Sequence, residues 1–207
     1  MKALQIAALC LLCAAPVAAD PTDFGPGTKI GRVSGLPDLP REMARIYRDF
    51  RRDVRYFGAM AVNFDTRMAV YLHNYHDATR VQIAALEGCR ILSLNKKGCV
   101  IYAVAMPQSL PIDRFDASGL SAQAAESFKT AYVETRLPGT YAAFAISGIG
   151  HYGYGSAYQT QSDARDTALA YCERGVAAFG PDARRFARAR GWQKCRVIDV
   201  AFTPQDG

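Results

Sequence analysis

One order of segments is written twice in this chain, and each time two cysteines frame it. In the first copy Ala59-Met-Ala-Val precedes Val81-Gln-Ile-Ala-Ala-Leu-Glu-Gly-Cys89, and Cys99-Val-Ile-Tyr-Ala-Val-Ala closes the pattern. In the second, Ala143-Phe-Ala-Ile leads through a Gly- and Tyr-rich stretch to Ala164-Arg-Asp-Thr-Ala-Leu-Ala-Tyr-Cys172, and Cys195-Arg-Val-Ile-Asp-Val-Ala closes it. We read a tandem duplication. Each copy puts one cysteine at the end of a helical pattern and the other at the start of a strand. Among the connectivities open to Cys89, Cys99, Cys172 and Cys195, Cys89 with Cys99 and Cys172 with Cys195 is therefore expected. A zinc site is the lesser reading, because these cysteines form no close C-x-x-C pair.

Within the first copy, residues 57–63 and 68–73 alternate apolar with small residues around Asp65-Thr66, which predicts a hairpin. Asp77 is placed to cap a helix running through Val81, Ala84, Ala85 and Leu86, and residues 99–105 have the β-branched, apolar character of a strand. Ahead of the first copy, Pro40 opens an amphipathic helix with Met43, Ile46, Tyr47, Phe50 and Val54 on one stripe and Arg45, Arg48, Arg51, Arg52 and Arg55 outside it. Ahead of the second, Ser121 opens a helix carrying Ala124, Ala125, Phe128, Ala131 and Tyr132, stopped by Pro138-Gly139. The unit is thus helix, hairpin, helix, strand. The expected class is α+β: a mainly antiparallel sheet with the last strand beside the first and the helices packed on one face. Two such units are expected to share a core about a pseudo-twofold axis, because three short strands alone bury little.

The chain divides into a signal peptide (1–19), an extended or mobile arm (20–39), a first repeat (40–106), a linker (107–120) and a second repeat (121–203). Lys2, the apolar run from Leu4 to Val17 and the small residues before Asp20 are the marks of an export signal cleaved after Ala19. The run falls short of the roughly 20 residues that a bilayer requires, so no transmembrane helix is expected in the mature chain. Leu9 and Leu12 precede Cys10 and Cys13, where lipid attachment wants a small residue. An even number of remaining cysteines in an exported chain reads as a disulfide framework, and the address as periplasmic or secreted.

The second copy carries a longer insert between its cysteines, and there Arg184, Arg185, Arg188, Arg190 and Lys194 are interleaved with Phe186 and Trp192. Charge and stacking together suit a polyanion or another anionic envelope component. The plainer reading is a surface helix whose aromatics pack inward. If this insert and the Arg-rich first helix share a face, they form one anion-binding patch. The formal charge of +6 agrees, but serves solubility equally well.

Catalytic constellations are scarce. Gly148-Ile-Gly-His-Tyr-Gly has the spacing of a dinucleotide loop, yet it lies between two strand patterns instead of leading into a helix. No nucleophile sits in an elbow of the G-x-S-x-G kind, and Asp163 and Asp166 fall at a helix start, where capping and the helix dipole account for them. His73, His76 and His151 read as unrelated histidines. No catalytic, cofactor or metal residue is assigned. The expected function is a non-catalytic binding or structural module of the cell envelope. The alternative is a small periplasmic enzyme with its site between the two hairpins, around Tyr71, His73, Tyr75, His151, Tyr154 and Tyr158.

The combination of A-x-A-[VI], a helix ending near A-L-x-x-C, and C-x-[VI]-[IVY]-x-V-A, twice over residues 56–203, resembles a family of small exported proteins of Gram-negative bacteria. These are built from an uncharacterised, Cys-paired, often duplicated domain of unknown function. The resemblance implies no settled activity and no catalytic residues. Similar chains are sometimes labelled aminolevulinate synthase, an activity that needs a pyridoxal phosphate Schiff-base lysine in a large two-domain fold. A short chain with two bridges offers no such setting.

Overall fold

The computed structural model describes residues 23–94, 97–114 and 117–205, so the expected signal peptide lies outside the described residues. The chain forms β1 (Thr28–Arg32), α1 (Arg41–Asp53), β2 (Phe57–Asn63), β3 (Met68–Tyr75), α2 (Ala78–Leu92) and β4 (Cys99–Pro107). It continues with α3 (Ala122–Ser127), a π-helical turn (Phe128–Tyr132), β5 (Thr140–Ile146), β6 (Tyr152–Tyr158), α4 (Gln161–Ala177), α5 (Pro181–Ala189) and β7 (Arg196–Thr203). Two antiparallel sheets result, one ordered β1-β4-β2-β3 and the other β6-β5-β7. In both, the last strand of the unit lies beside its first. The class is α+β, as the pattern predicts.

Local signals place these elements. Asp77 accepts a hydrogen bond from the Arg80 N–H at the start of α2, and Thr160 accepts one from the Asp163 N–H at the start of α4. Ser121 does the same for α3 through the Ala124 N–H. Both hairpin turns are held by a buried polar side chain at the end of the first strand. Asn63 Oδ1 accepts from the N–H groups of Asp65 and Thr66, and Ser147 Oγ from those of Ile149 and His151. Disulfides join Cys89 to Cys99 and Cys172 to Cys195, each tying the C-terminal half of a helix to the start or threshold of the next strand. They point to an oxidising compartment. Among the described residues no helix is long and apolar enough to cross a membrane.

Three features depart from the sequence reading. The helices cover both faces of the sheets, not one. Phe57, Ala59 and Ala61 of β2 pack with Val81, Ala85 and Cys89 of α2, while Met60 and Val62 face the other way onto Met43 and Phe50 of α1. The second sheet repeats the arrangement, with Ala143 and Ala145 against Ala164, Ala168 and Cys172 of α4, and Phe144 against Tyr132 of the π-helical turn. Part of the arm is also ordered as a strand, since β1 pairs antiparallel with β4 from Thr28 opposite Pro107 to Arg32 opposite Ala103. Five residues containing a glycine and two charges carry too little alternation to announce a strand; pairing to β4 supplies the order.

The third departure concerns symmetry. One buried cluster takes residues from both units, so they share a core. The contact between them, however, is head to tail. His76, at the β3–α2 corner of the first unit, is 4% exposed and reaches the β5–β6 turn of the second. The corresponding corner residue of the second unit, Gln159, is exposed. No pseudo-twofold relates these contacts.

The two sheets nonetheless carry matching irregularities. β3 gains a residue against β2 between the pairs Phe57–Tyr75 and Ala59–Leu72, with Asn74 at φ 61°. β6 does the same against β5 between Tyr141–Tyr158 and Ala143–Gly155, with Ala157 at φ 63°. The closing strands match as well, bulging at Tyr102 between its neighbours' pairs and at Ile198. On this register Val70 and Gly88 of the first unit correspond to Gly153 and Tyr171 of the second, and the sizes are exchanged. In the first, a Cβ on the helix residue Gly88 would lie 3.2 Å from the strand's Val70. In the second, a Cβ on the strand residue Gly153 would meet the α4 backbone at Ala168 and Cys172 and come within 2.7 Å of Tyr171 Cβ.

Candidate functional site

The basic insert folds as α5 and the turn that follows it. Pro181 occupies its first turn, where the missing N–H costs nothing. Its inner side docks on the shared core: Ala187 is buried, and Phe186 and Trp192 are half-buried in an edge-to-face pair 5.5 Å apart. The Trp192 carbonyl accepts the Gly148 N–H from the β5–β6 turn at 2.9 Å. The aromatics are thus committed to packing. Of the five cations named from the sequence, Arg190 lies over both rings, 4.9 Å from the centre of Phe186 and 5.4 Å from that of Trp192. Arg184, Arg185, Arg188 and Lys194 are exposed. Sequence reasoning missed Arg80 of α2, whose guanidinium lies 5.8 Å from the Trp192 ring and extends the positive rim of the insert. The Arg-rich α1 does not join this patch, because it packs on the face of the first sheet turned away from α2, whereas α5 packs with the α2 side. The condition for one patch, that the two segments share a face, is therefore not met.

The six residues of the hairpin hypothesis are likewise not assembled into one site. Tyr75 is buried in the shared core. Tyr71 lies on the α1 side, donating to Asp53 Oδ2 at 3.3 Å, with the His73 ring 6.2 Å away. Burial lowers the His73 pKa against the opposing pull of Asp53. His151, Tyr154 and Tyr158 do come together, in a groove of about 640 Å³ along β6 that is also lined by Gln123, Tyr152 and Tyr171. Burial keeps His151 below the ordinary histidine range, beside the Phe179 ring at 4.6 Å. Gly148 and Gly150 sit in the β5–β6 turn, the latter at φ 96° with Asn74 O where a Cβ would stand. The glycines serve a close approach of the two units, not a cofactor.

His76 is the polar centre of that approach. Its Nδ1 accepts the Ser121 N–H at 2.7 Å, which puts the ring proton on Nε2, where it donates to the His151 carbonyl at 3.2 Å. Burial pushes its pKa down to about 4, the His151 carbonyl only partly opposing this. The ring is therefore a neutral link between β3, the start of α3 and the β5–β6 turn.

A second cleft, of about 550 Å³, opens between the arm and α3. Asp23 is paired with Lys129 from the π-helical turn and accepts from the Gly25 N–H and the Tyr56 hydroxyl. Desolvation raises the Asp23 pKa, but these bonds and the Lys129 charge together hold it below the ordinary carboxylate range. Burial and the same carboxylate push Tyr56 up to about 12. Tyr56 stands at φ 44°, its N–H taken by Thr28 Oγ1. The Lys129 charge of this cleft is thus paired within the fold. Among the described residues no group of three or more His, Cys, Asp or Glu converges in a metal-binding arrangement. Set beside known proteins, the chain matches no family model, no curated protein and no solved structure.

Proposed function

We propose that the mature chain is an exported, non-catalytic binding module of the bacterial cell envelope, periplasmic or secreted, that holds an anionic polymer against the outer face of α5. The observation that carries this reading is the division of labour within the insert. Its aromatics anchor the segment in the core while Arg184, Arg188 and Lys194 remain exposed, so the positive charge is displayed on a fixed element. The two disulfides support export, because such bonds persist in oxidising compartments. The resemblance to duplicated, Cys-paired exported domains points the same way. The non-catalytic reading is supported by how the histidines are used: His73 lies apart on the α1 side, and His76 spends both ring nitrogens on backbone partners, one of them the His151 carbonyl, with each of the three held below its ordinary range chiefly by burial.

A salt titration tests the proposal. Retention on immobilised heparin and on lipopolysaccharide is measured for the mature protein and for the variant Arg184→Ala/Arg188→Ala/Lys194→Ala. By the counterion-release relation for duplex DNA, each anionic group that a cation neutralises adds about 0.9 to the steepness of log affinity against log salt, so removing these cations should reduce it by roughly 2 to 3. Thermal unfolding should hardly move, because exposed charges contribute little to stability. Equal retention of the two proteins at moderate salt would mean that the α5 face is only a solvated surface.

A further inference from the structure

We propose that the groove along β6 binds an uncharged oligosaccharide, with tyrosine rings against its C–H faces and phenols, an amide and edge backbone groups at its hydroxyls. The groove, of about 640 Å³, follows the outer edge of the order β6-β5-β7, with Gln123 of α3 on one side and Thr167 and Tyr171 of α4 on the other. That volume suits a small-molecule site. Among the described residues its lining contains no Asp, Glu, Lys or Arg. The Tyr152 and Tyr154 rings make angles of 2° and 4° with the Phe144 ring of β5, so they are nearly parallel to each other. As alternate residues of one strand they stand about 6.6 Å apart along it. Ser127 Oγ meets the Tyr152 hydroxyl at 2.6 Å and fixes that ring. Tyrosines held in this way offer contact area with little side-chain freedom left to lose.

The polar groups of the groove are uncharged as well. Among the described residues the hydroxyls of Tyr154, Tyr158 and Tyr171 have no hydrogen-bond partner. Gln123 gives its Oε1 to Asn74 Nδ2, which leaves its NH2 group to donate. The Ser147 N–H donates to the His151 carbonyl at 2.8 Å, and alternation from that pair turns the backbone groups of Tyr152 and Tyr154 outward. A pyranose matches this set, because its ring has C–H faces and a rim of hydroxyls that both donate and accept. A charged polymer would meet no counter-charge in the lining. Arg174 lies outside it, with its guanidinium carbon 4.1 Å from the centre of the Tyr171 ring, so Tyr171 takes part through its hydroxyl. A wholly apolar ligand would strand phenols and backbone groups away from water. The bulge at Ala157 leaves only a short regular run, so an added β-strand would find few groups to pair with.

The proposal is independent of anion binding at α5, and salt separates the two. Cellotetraose, maltotetraose and chitotetraose are titrated calorimetrically into the mature protein at about 50 and 200 mM salt, a range over which polyanion contacts weaken by orders of magnitude. Hydrogen exchange is followed on the same samples. At least one tetrasaccharide should bind equally well at both salt concentrations and protect the Tyr152 and Tyr154 amides. The variant Arg184→Ala/Arg188→Ala/Lys194→Ala should bind it as the native chain does. Tyr154→Leu removes a ring and its hydroxyl and should weaken binding by about tenfold. Tyr171→Phe keeps a ring that is 51% exposed, together with its Arg174 contact, so it leaves the fold intact. Loss of the hydroxyl alone should weaken binding roughly three- to tenfold. Absence of binding by all three sugars at millimolar concentration overturns the proposal. So does binding that neither tyrosine variant weakens, or that is lost with the α5 cations. Protection of the two amides by an uncharged β-forming peptide and by none of the sugars would also overturn it, assigning the edge to strand addition.

Discussion

His76 shows how one buried side chain makes the fold sensitive to acid. The folded ring titrates at about 4 against an ordinary value of 6.5, so between these limits the unfolded chain binds a proton that the native one refuses. Its contribution is complete above pH 6.5, declines as the pH falls toward 4, and amounts to about 3 kcal/mol at most by linkage. Urea unfolding of the native chain and of His76→Gln across this window provides the measurement. Glutamine can replace both hydrogen bonds but cannot titrate, so the difference in stability between the two proteins should shrink as the pH falls. A difference independent of pH would show that the ring is not held neutral by the fold. Gly153 acts through space alone. A Cβ there meets α4 backbone at Ala168 and Cys172, which cannot turn aside as a flexible side chain can. Gly153→Ala should therefore destabilise by roughly 1 to 3 kcal/mol, the usual cost of overpacking. Neither role is legible in the sequence. His76 differs from its counterpart Gln159 in nothing that a pattern records, and the need for Gly153 depends on a helix about fifteen residues further along the chain.

The elements are more legible, because each is announced by residues close in sequence. The stripe of α1, the caps Asp77 and Ser121, the hairpin around Asp65-Thr66 and the disulfide frame all follow from local spacing. The two-sided cover of β2 has its own signal: Phe57 to Val62 is an unbroken run of apolar and small residues, the mark of a strand buried on both faces, not a true alternation. The bulges are hidden because alanine-rich strands look alike in either register. The disulfides make a graded prediction. In the chain-entropy model the Cys89–Cys99 bond, with a separation of 10, contributes about 2.7 kcal/mol, and Cys172–Cys195, with a separation of 23, about 3.4 kcal/mol. Paired Cys→Ala variants compared by denaturant unfolding should rank in that order. The reverse ranking would mean that the insert bearing α5 is already constrained in the unfolded chain.

For the whole molecule, the shared core predicts one unfolding event. Trp192 is the sole tryptophan and reports the docking of the insert beside the β5–β6 turn, whereas far-ultraviolet dichroism reports helices and strands of both units. The two transitions should coincide if the units form a single cooperative body. An earlier fluorescence change would mark the insert as a separately melting segment. Neither the groove along β6, which depends on how α3 and α4 flank that strand, nor the split of the basic segments between two faces, which depends on how the units meet, could be read from the sequence. The exchange of sizes between Val70–Gly88 and Gly153–Tyr171 has a bearing on assembly. A chain that folds two similar units side by side risks laying a helix on the wrong sheet. Here α2 over β6 would bring Gly88 onto Gly153 and leave a void, and α4 over β3 would drive Tyr171 into Val70. Each helix thus fits its own sheet better than the other, so a swapped arrangement carries a packing cost that the native one does not.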